Sequence, residues 1–339
     1  MSNSSCILDE VAVTPVALMP ALPSRYGPMP STVRQIPTPT GRKLQFAAPF
    51  FVRGLSAAQL NMSWPVVCGL LRAKGMPIYA TVAELQSVPA ASVPARVAVR
   101  FLGEPLVHEE VTTADAYELV NCNADGLGWG WPFEIASARD LKALVCVLRD
   151  ALAGETPIGM SLPLNAKAAD LRMCLDSSID FLTLTHCTES LVSAPEQVAT
   201  LAAHGIVSVR RLCKQFGRPN LPLLLDAPID DCDHAIKLLA LGATAVNVAK
   251  LVESAMPAPE PARYESKLTD SLLGSLPGVP KVVRELPQVE RKLSELVRRL
   301  TETLHFTGVI DVAELNTDCL RGLNPVVAEQ LGIGPITNR

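Results

Sequence analysis

Several polar groups stand where apolar runs of the chain end. Asp226 follows the run Leu221–Leu225, His186 follows IDFLTLT, and Asn121 and Asn123 follow DAYELV. A carboxylate at such a position can accept a hydrogen bond from a sugar-like hydroxyl, and an imidazole can act as a general base. Each group also has a structural interpretation. The aspartate fits a helix cap or turn, the histidine a polar loop, and the asparagines an ordinary loop between strand and helix.

The remaining candidate chemistry is sparse. Cys187 adjoins His186, but no further ligand has suitable spacing, so the sequence predicts no metal site. The nine cysteines form no CxxC pair, and several, such as Cys146, stand in apolar runs, which indicates reduced, buried thiols in a cytoplasmic protein. Net charge is −4 and no basic run occurs, which argues against nucleic acid as a partner. No apolar stretch reaches the roughly 18 residues that a membrane span needs.

The elements that must position these residues alternate between strand and helix. The segment Leu221–Leu251 shows the pattern: an apolar run, an amphipathic stretch, Gly242 as a cap, and a second apolar run over Ala245–Leu251. At least seven such alternations with short links predict an α/β protein with a parallel sheet, closed as a (β/α)8 TIM barrel or open and doubly wound. We favour the barrel, because no early GxGxxG follows a strand and the number of units fits eight.

The sequence divides into three parts. Residues 1–45 are rich in Pro and Ser and predict an extended arm or flexible tail, residues 46–256 the barrel, and residues 257–339 a Pro-rich loop and C-terminal helices that pack on it. Helices are predicted at Asn61–Gly75, from a Ser137 cap to Leu152, and over Gln288–Leu304, with a shorter helix-like segment in FTGVIDVAEL. The helical segment that starts with PEQVATLAAHG is either one helix or two, because Gly205 lies within it.

Four motifs together resemble a known family. PFFVRGLSAAQLN resembles a first strand with its flavin-contacting loop, and PIGMSLPL resembles the strand usually written PVSVKLV. LPLLLDAPIDDCDHAIKLLALGATAVNVAKL resembles IADGGLRTGRDVVKALALGADAVGFG, and the tail LHFTGVIDVAEL resembles the end of the same domain. Over about residues 46–320 the order is similar to the FMN-binding barrel of glutamate synthase, within the α-hydroxy-acid-oxidase-like superfamily. The resemblance implies a TIM barrel, FMN, and oxidoreductase activity with partner subunits.

The resemblance also assigns the site, and it marks departures from the family pattern. Ser161 stands where the family has a lysine beside the flavin, and Ala227-Pro228 stand where it has the glycines that approach the phosphate. No cysteine cluster follows Leu251, so no iron–sulfur cluster is expected. The implied catalytic positions are Ser161 and His186. The implied cofactor-binding positions are Ser56, Asn121, Asn123, Ser161, Asp226, Ala227, Asn247 and Lys250.

Three functions remain open from the sequence. The first is a homologue with a degenerate flavin site, which serves as a scaffold or regulatory subunit. The second is an active FMN-dependent oxidoreductase of glutamate synthase type. The third is a barrel that binds another phosphorylated or planar ligand at its mouth, where Trp129 and Trp131 would stack on a ring or instead form a structural plug. We expect a homo-oligomer or a partner subunit, and no membrane contact.

Overall fold

A computed structural model describes most of the predicted barrel and both terminal regions. The described residues are 6–14, 30–37, 43–53, 76–81, 96–102, 114–121, 130–132, 134–152, 156–186, 194–254 and 286–336. The predicted helix Asn61–Gly75, together with Ser56, Asn123, Trp129 and Cys187, lies outside them.

The strands and helices of the described residues follow in chain order. The strands are β1 (Val11–Val13), β2 (Arg34–Pro37), β3 (Lys43–Phe46), β4 (Phe50–Arg53), β5 (Ile78–Thr81), β6 (Arg96–Phe101), β7 (Ala116–Val120), β8 (Ile158–Pro163), β9 (Phe181–Thr185), β10 (Leu223–Asp226), β11 (Ala245–Asn247), β12 (Leu320–Gly322) and β13 (Gly334–Pro335). The helices are α1 (Ala138–Ala151), α2 (Ala168–Asp176), α3 (Pro195–Gln215), α4 (Cys232–Ala240), α5 (Ala249–Ser254), α6 (Leu286–Thr307) and α7 (Pro325–Leu331).

Strands β4 to β11 form a closed barrel, as predicted. Each strand pairs in parallel with the next along the chain, and β11 pairs with β4 to close the ring of eight. The register at the closure sets Asn247 opposite Phe51. Because all eight strands are parallel, their carboxyl ends meet at one end of the barrel, and side chains from distant parts of the sequence converge there.

Side chains alternate between the lumen of the barrel and the surrounding helices, as the two-residue period of a strand requires. The apolar residues of the lumen and of the β2–β3 hairpin form a cluster of their own: Ile36, Leu44, Phe46, Phe51, Tyr79, Val97, Val99, Ala116, Val120, Phe181, Leu224 and Ala245. Only residues 47–49 separate the hairpin from β4, so the hairpin packs at the amino-terminal ends of the barrel strands. The carboxyl ends are left for the polar groups.

Helices cover the outside of the barrel with their apolar faces. Ser137 caps α1, as predicted: its Oγ accepts a hydrogen bond from the N–H of Asp140 at 3.4 Å. Helix α3 runs unbroken through Gly205, which resolves the choice between one piece and two. Helix α6 buries a stripe at helical spacing: Val289, Leu293, Leu296, Leu300 and Leu304.

Both terminal regions pack against the barrel helices. Within the predicted arm, Ile7–Glu10 forms a 3₁₀ turn, and Ile7 and Leu8 are buried. Strand β1 then pairs antiparallel with β12, which follows α6 in the C-terminal region. The domain boundaries proposed from the sequence stay predictions, but the described part of the arm lies against the fold.

Two element predictions are wrong. The segment FTGVIDVAEL forms no second helix: α6 ends near Gly308, whose φ of 76° is left-handed, and only the 3₁₀ turn Val312–Glu314 follows. The run Ala245–Leu251 is not one strand, because β11 ends at Asn247 and α5 begins at Ala249. Within the described residues, no helix is both long and apolar enough to cross a membrane.

Gly159 in β8 provides a test of the packing in the lumen. It pairs with Phe181 of β9, and a Cβ added at Gly159 would overlap the Phe181 ring. We expect Gly159→Ala to reduce the free energy of unfolding by about 1–3 kcal/mol, because overpacking a filled core forces its neighbours to move. Denaturant unfolding measures the change. Gly130→Ala is the matched control, since an added Cβ there meets nothing within 4 Å. Equal stabilities of the two variants would contradict the prediction.

Candidate functional site

A polar cluster lies inside the barrel at the carboxyl ends of the strands. Arg53 and Asn247 are the last residues of β4 and β11, Asp226 is the last residue of β10, and Ser161 lies within β8. Glu118 lies in the middle of β7, in the otherwise apolar strand AYELV. Because strands turn alternate side chains inward, these five residues from five strands face one another across the lumen.

Arg53 is the centre of this lumen cluster. Its Nη1 lies 2.6 Å from Glu118 Oε1, 3.2 Å from Asp226 Oδ2 and 3.2 Å from Ser161 Oγ. The Arg53 side chain is only 14% exposed, so solvent screens these contacts weakly. One guanidinium thus cross-links four strands of the barrel.

Glu118 is completely buried, and its carboxylate is well satisfied. Oε1 accepts hydrogen bonds from Arg53 and, at 2.5 Å, from the Ser161 hydroxyl, while Oε2 accepts one from the Thr183 hydroxyl. A buried carboxylate is tolerated only when it is paired with a cation and hydrogen-bonded. The Glu118 side chain is 0% exposed, so the carboxylate serves to hold Arg53 and is not open to a ligand.

Charge and burial fix the protonation states of two groups in the cluster. Burial opposes the charge of Arg53, but the carboxylates of Glu118 and Asp226 outweigh it and raise the pKa of the guanidinium, which stays protonated. Burial, followed by the Glu118 carboxylate, raises the pKa of Tyr79 well above its usual value, so the phenol stays neutral. Tyr79 Oη and Asn121 Oδ1 are buried and have no hydrogen-bond partner among the described residues.

Asn247 joins the ends of β4, β10 and β11. Its Nδ2 donates to Asp226 Oδ1 at 2.7 Å and to the carbonyl of Arg53 at 3.2 Å. Its Oδ1 accepts from the N–H of Arg53 at 3.2 Å and from the N–H of Ala249, which begins α5, at 3.0 Å. Both oxygens of Asp226 therefore have partners within the chain: Oδ1 accepts a hydrogen bond from Asn247, and Oδ2 forms an ion pair with Arg53.

The turn after β10 does not fit a phosphate. Pro228 has no N–H, and the N–H of Ile229 donates to the carbonyl of Ala227 at 2.8 Å. At the start of α4, Asp231 Oδ1 accepts the N–H groups of Asp233 and His234 at 2.7 and 3.0 Å. These are the donors that a helix N-terminus would offer to an anion.

The charge at the start of α4 is also unfavourable to a phosphate. Burial opposes ionisation of the Asp231 carboxyl, but the backbone N–H groups that it accepts, with the charges of His234 and Arg299, lower its pKa. The Asp231 carboxylate therefore stays charged and would repel a phosphate brought to the start of α4.

The end of β11 also does not fit a phosphate. The N–H of Val248 donates to the carbonyl of Phe51 at 2.9 Å, and that of Ala249 donates to Asn247. Lys250 lies on the surface, where its Nζ pairs with Glu253 at 3.1 Å. In the described residues after β10 and β11, the backbone N–H groups named above already donate to acceptors within the chain. The residues present there therefore do not fit the phosphate of FMN.

The structure brings together three of the residues that the sequence singles out, namely Ser161, Asp226 and Asn247. His186 follows β9, and its N–H donates to the carbonyl of Asp226 at 2.8 Å. Asn121 follows β7 and is buried. Ala227 is buried beside Asp226, and Lys250 lies apart from the lumen cluster. Ser56 and Asn123 lie outside the described residues, so their assignment stays a prediction.

Asp226 differs from its structural interpretation, whereas Trp131 fits one of the two interpretations given for it. Asp226 caps no helix, because Asp231 does so, and instead it pairs with Arg53. Trp131 is half-buried, and its indole N–H donates to Asp170 of α2 at 2.8 Å, which fits the structural interpretation.

Sequence reasoning missed Glu118 and Thr183 and did not place Arg53 among the site residues. A usable signal existed, because a charged residue inside an apolar strand requires a buried partner.

The architecture and the lumen cluster define a closed (β/α)8 barrel with a polar carboxyl end. Solved structures with this fold include a mandelate oxidase variant with 3,3,3-trifluoro-2,2-dihydroxypropanoic acid, at a TM-score of 0.60 and 15% identity over 93% of this chain and 87% of that one. A mandelate oxidase variant with a monooxide FMN adduct has a TM-score of 0.58 at 15% identity, over 93% and 88%. An active chimera of (S)-mandelate dehydrogenase has a TM-score of 0.56 at 13% identity, over 93% and 89%.

These similarities establish the (β/α)8 barrel fold. No family model and no curated protein matches the chain. The narrower resemblance to glutamate synthase is not confirmed, and at 13–15% identity the activity must be argued from the site.

Removal of the central guanidinium tests the lumen cluster. We expect Arg53→Met to reduce the free energy of unfolding by about 3–5 kcal/mol, because it leaves the buried carboxylate of Glu118 without a cation. The double variant Arg53→Met/Glu118→Gln should recover part of the loss, since it removes both charges. Denaturant unfolding measures all three chains.

Arg298 provides the matched control for Arg53. It also contacts two carboxylates, Glu295 and Glu302, but at the surface. Arg298→Met should change the stability far less, because exposed ion pairs contribute little. A loss in Arg298→Met equal to that in Arg53→Met, or a double variant less stable than Arg53→Met, would contradict the importance given to the buried cluster.

Proposed function

We propose that this chain is a flavin-type barrel with a degenerate site, which does not bind FMN through the phosphate and acts as a scaffold or regulatory subunit without redox chemistry. The observation that carries the proposal is the use of the backbone donors after β10 and β11 by Asp231 and Asn247. A phosphate needs such donors to be open, and it is repelled where a carboxylate takes them.

The charge balance in the lumen supports the same function. The lumen cluster contains one guanidinium, that of Arg53, and two carboxyl groups, those of Glu118 and Asp226. Arg53 therefore has no spare charge to offer to a reduced flavin, whose stabilisation requires a cation that is not already neutralised.

A scaffold needs the barrel only as a rigid body with a surface for assembly. The closed ring of strands and the packed lumen supply this rigidity. The partner is a second copy of the chain or another subunit, as expected from the sequence, and a relation to glutamate synthase assemblies is part of the proposal.

One observation favours a second candidate, an active FMN-dependent oxidoreductase. Ser161 replaces the lysine that the resemblance implies, but Arg53 Nη1 lies 3.2 Å from Ser161 Oγ. A positive group is thus present at nearly the implied position, although it comes from another strand. This candidate requires a phosphate site formed by other residues of the chain.

Flavin content separates the two candidates. We expect the purified full-length chain to be colourless, to release no flavin on denaturation, and to leave the fluorescence of added FMN unquenched, because the described phosphate donors are occupied. A mandelate oxidase preparation assayed in parallel serves as the positive control. A yellow preparation, or saturable quenching at one FMN per chain, would overturn the degenerate-site proposal and favour the enzyme.

A lysine at position 161 tests whether FMN binding is prevented by the missing cation or by the missing phosphate donors. We expect Ser161→Lys to gain no FMN binding, because a lysine supplies a charge near the ring and no donor for the phosphate. The measurement is the same fluorescence titration, with Ser161→Ala as the control and circular dichroism to verify folding. Saturable FMN binding by Ser161→Lys alone would show that the cation, rather than the phosphate site, was the missing part.

A further inference from the structure

A second cluster of chemically active side chains lies outside the barrel, between the N-terminal turn and α4. We propose that Cys6, Asp9 and His234 bind one Zn²⁺ ion, which fastens the N-terminal segment to the barrel. The three residues offer a thiol, a carboxylate and an imidazole, and one ligand atom of each lies within 4.8 Å of the others. No motif in the sequence indicates this site, because His234 lies 225 residues after Asp9.

Local structure places the first two ligands on one side of the turn. In a 3₁₀ turn, residues three apart lie one above the other, and the N–H of Asp9 donates to the carbonyl of Cys6 at 2.9 Å. The thiol of Cys6 is fully buried, and the N–H of Ile7 is held by Thr200 of α3 at 3.1 Å. The backbone of both ligand residues is therefore held in place before any ion binds.

The third ligand is held equally well. His234 lies in the first turn of α4, where Asp231 caps the helix through the N–H of His234. Its Nε2 points at Asp9 Oδ1, 2.8 Å away, and Lys237 one turn later donates to the carbonyl of Leu8 at 2.8 Å. The N-terminal turn and α4 are thus already joined by two contacts, His234 with Asp9 and Lys237 with Leu8.

The distances suit a tetrahedral ion after a small adjustment. Zn²⁺ binds sulfur at about 2.3 Å and nitrogen or oxygen at about 2.0–2.2 Å, which separates neighbouring ligand atoms by about 3.3–3.6 Å. Asp9 and His234 must move apart by about half an ångström to accept the ion at these bond lengths. The Cys6 thiol lies within 4.8 Å of the other two ligand atoms, so it must approach them by at most about 1.2 Å.

The donor types select the metal. Thiolate and imidazole favour Zn²⁺, whereas Mg²⁺ and Ca²⁺ require oxygen ligands. The Asp9 side chain is 55% exposed, so the ion can enter from solvent on that side and a water molecule can complete the tetrahedron. Three protein ligands with one open position form a recognised zinc arrangement.

The competing interpretation is a plain surface ion pair between Asp9 and His234 beside an inert buried thiol. Cobalt distinguishes the two, because a Co²⁺–thiolate bond gives a charge-transfer absorption that an Asp–His pair lacks. We expect the full-length chain to bind one Co²⁺ with this band and to exchange it for one Zn²⁺. Zn²⁺ should also raise the melting temperature, since binding to the folded state alone stabilises it.

Variants assign the ligands. Cys6→Ser should abolish the charge-transfer band, and Asp9→Asn and His234→Gln should each weaken Zn²⁺ binding by more than about 100-fold, since even loss of an outer-shell partner costs about 10–100-fold. Cys146→Ser is the matched control, because Cys146 is an exposed free cysteine in α1, and His305→Gln is the control for the imidazole. Both should bind Zn²⁺ like the unaltered chain.

Three results would overturn the zinc site. They are the absence of Co²⁺ or Zn²⁺ binding to the unaltered chain, binding without the thiolate band, and unchanged affinity in Cys6→Ser. Circular dichroism of the metal-free variants checks that each is folded. The outcome is independent of the flavin tests, because the site lies outside the lumen cluster.

Discussion

A guanidinium inside a closed barrel must be neutralised where it lies, and this requirement organises the described part of the chain. Arg53 comes from β4, while its acidic partners Glu118 and Asp226 come from β7 and β10. A shift of one residue in any of these strands would turn a charge toward the helices and leave its partner unpaired. The ion pairs therefore specify the register around the ring, which apolar side chains alone specify less strictly.

Hydrogen-bonding groups at the ends of the strands, like those in the lumen, have partners within the chain. Asp231 and Asn247 take backbone N–H groups that a helix N-terminus would otherwise offer, and Asn247 also binds Asp226. A site built for a ligand keeps donors and charges open until the ligand arrives, and this openness reduces stability. Here most polar groups of the barrel interior bind one another, although Tyr79 Oη and Asn121 Oδ1 are buried without a hydrogen-bond partner among the described residues.

Local patterns in the sequence were sufficient to predict the fold. The alternation of apolar runs and amphipathic stretches predicted the barrel, and Ser137 before a helical stripe predicted the start of α1 correctly. The errors have local causes that are visible only in the structure. The left-handed Gly308 ends α6, and the side chain of Asn247 accepts the N–H of Ala249 so that a helix begins where a strand was expected. In both cases one residue overrides the apolar pattern.

The site was less predictable because its contacts join distant parts of the sequence. Arg53 and Glu118 are 65 residues apart, and Asp9 and His234 are 225 apart, so no spacing rule relates them. Comparison with a family motif considers one position at a time, and at Ser161 it indicates that a lysine has been lost. The structure shows a positive group 3.2 Å from that hydroxyl, supplied by Arg53 and already bound by carboxylates. The decisive property is therefore whether a charge is available, and availability follows from the partners of a residue rather than from its identity.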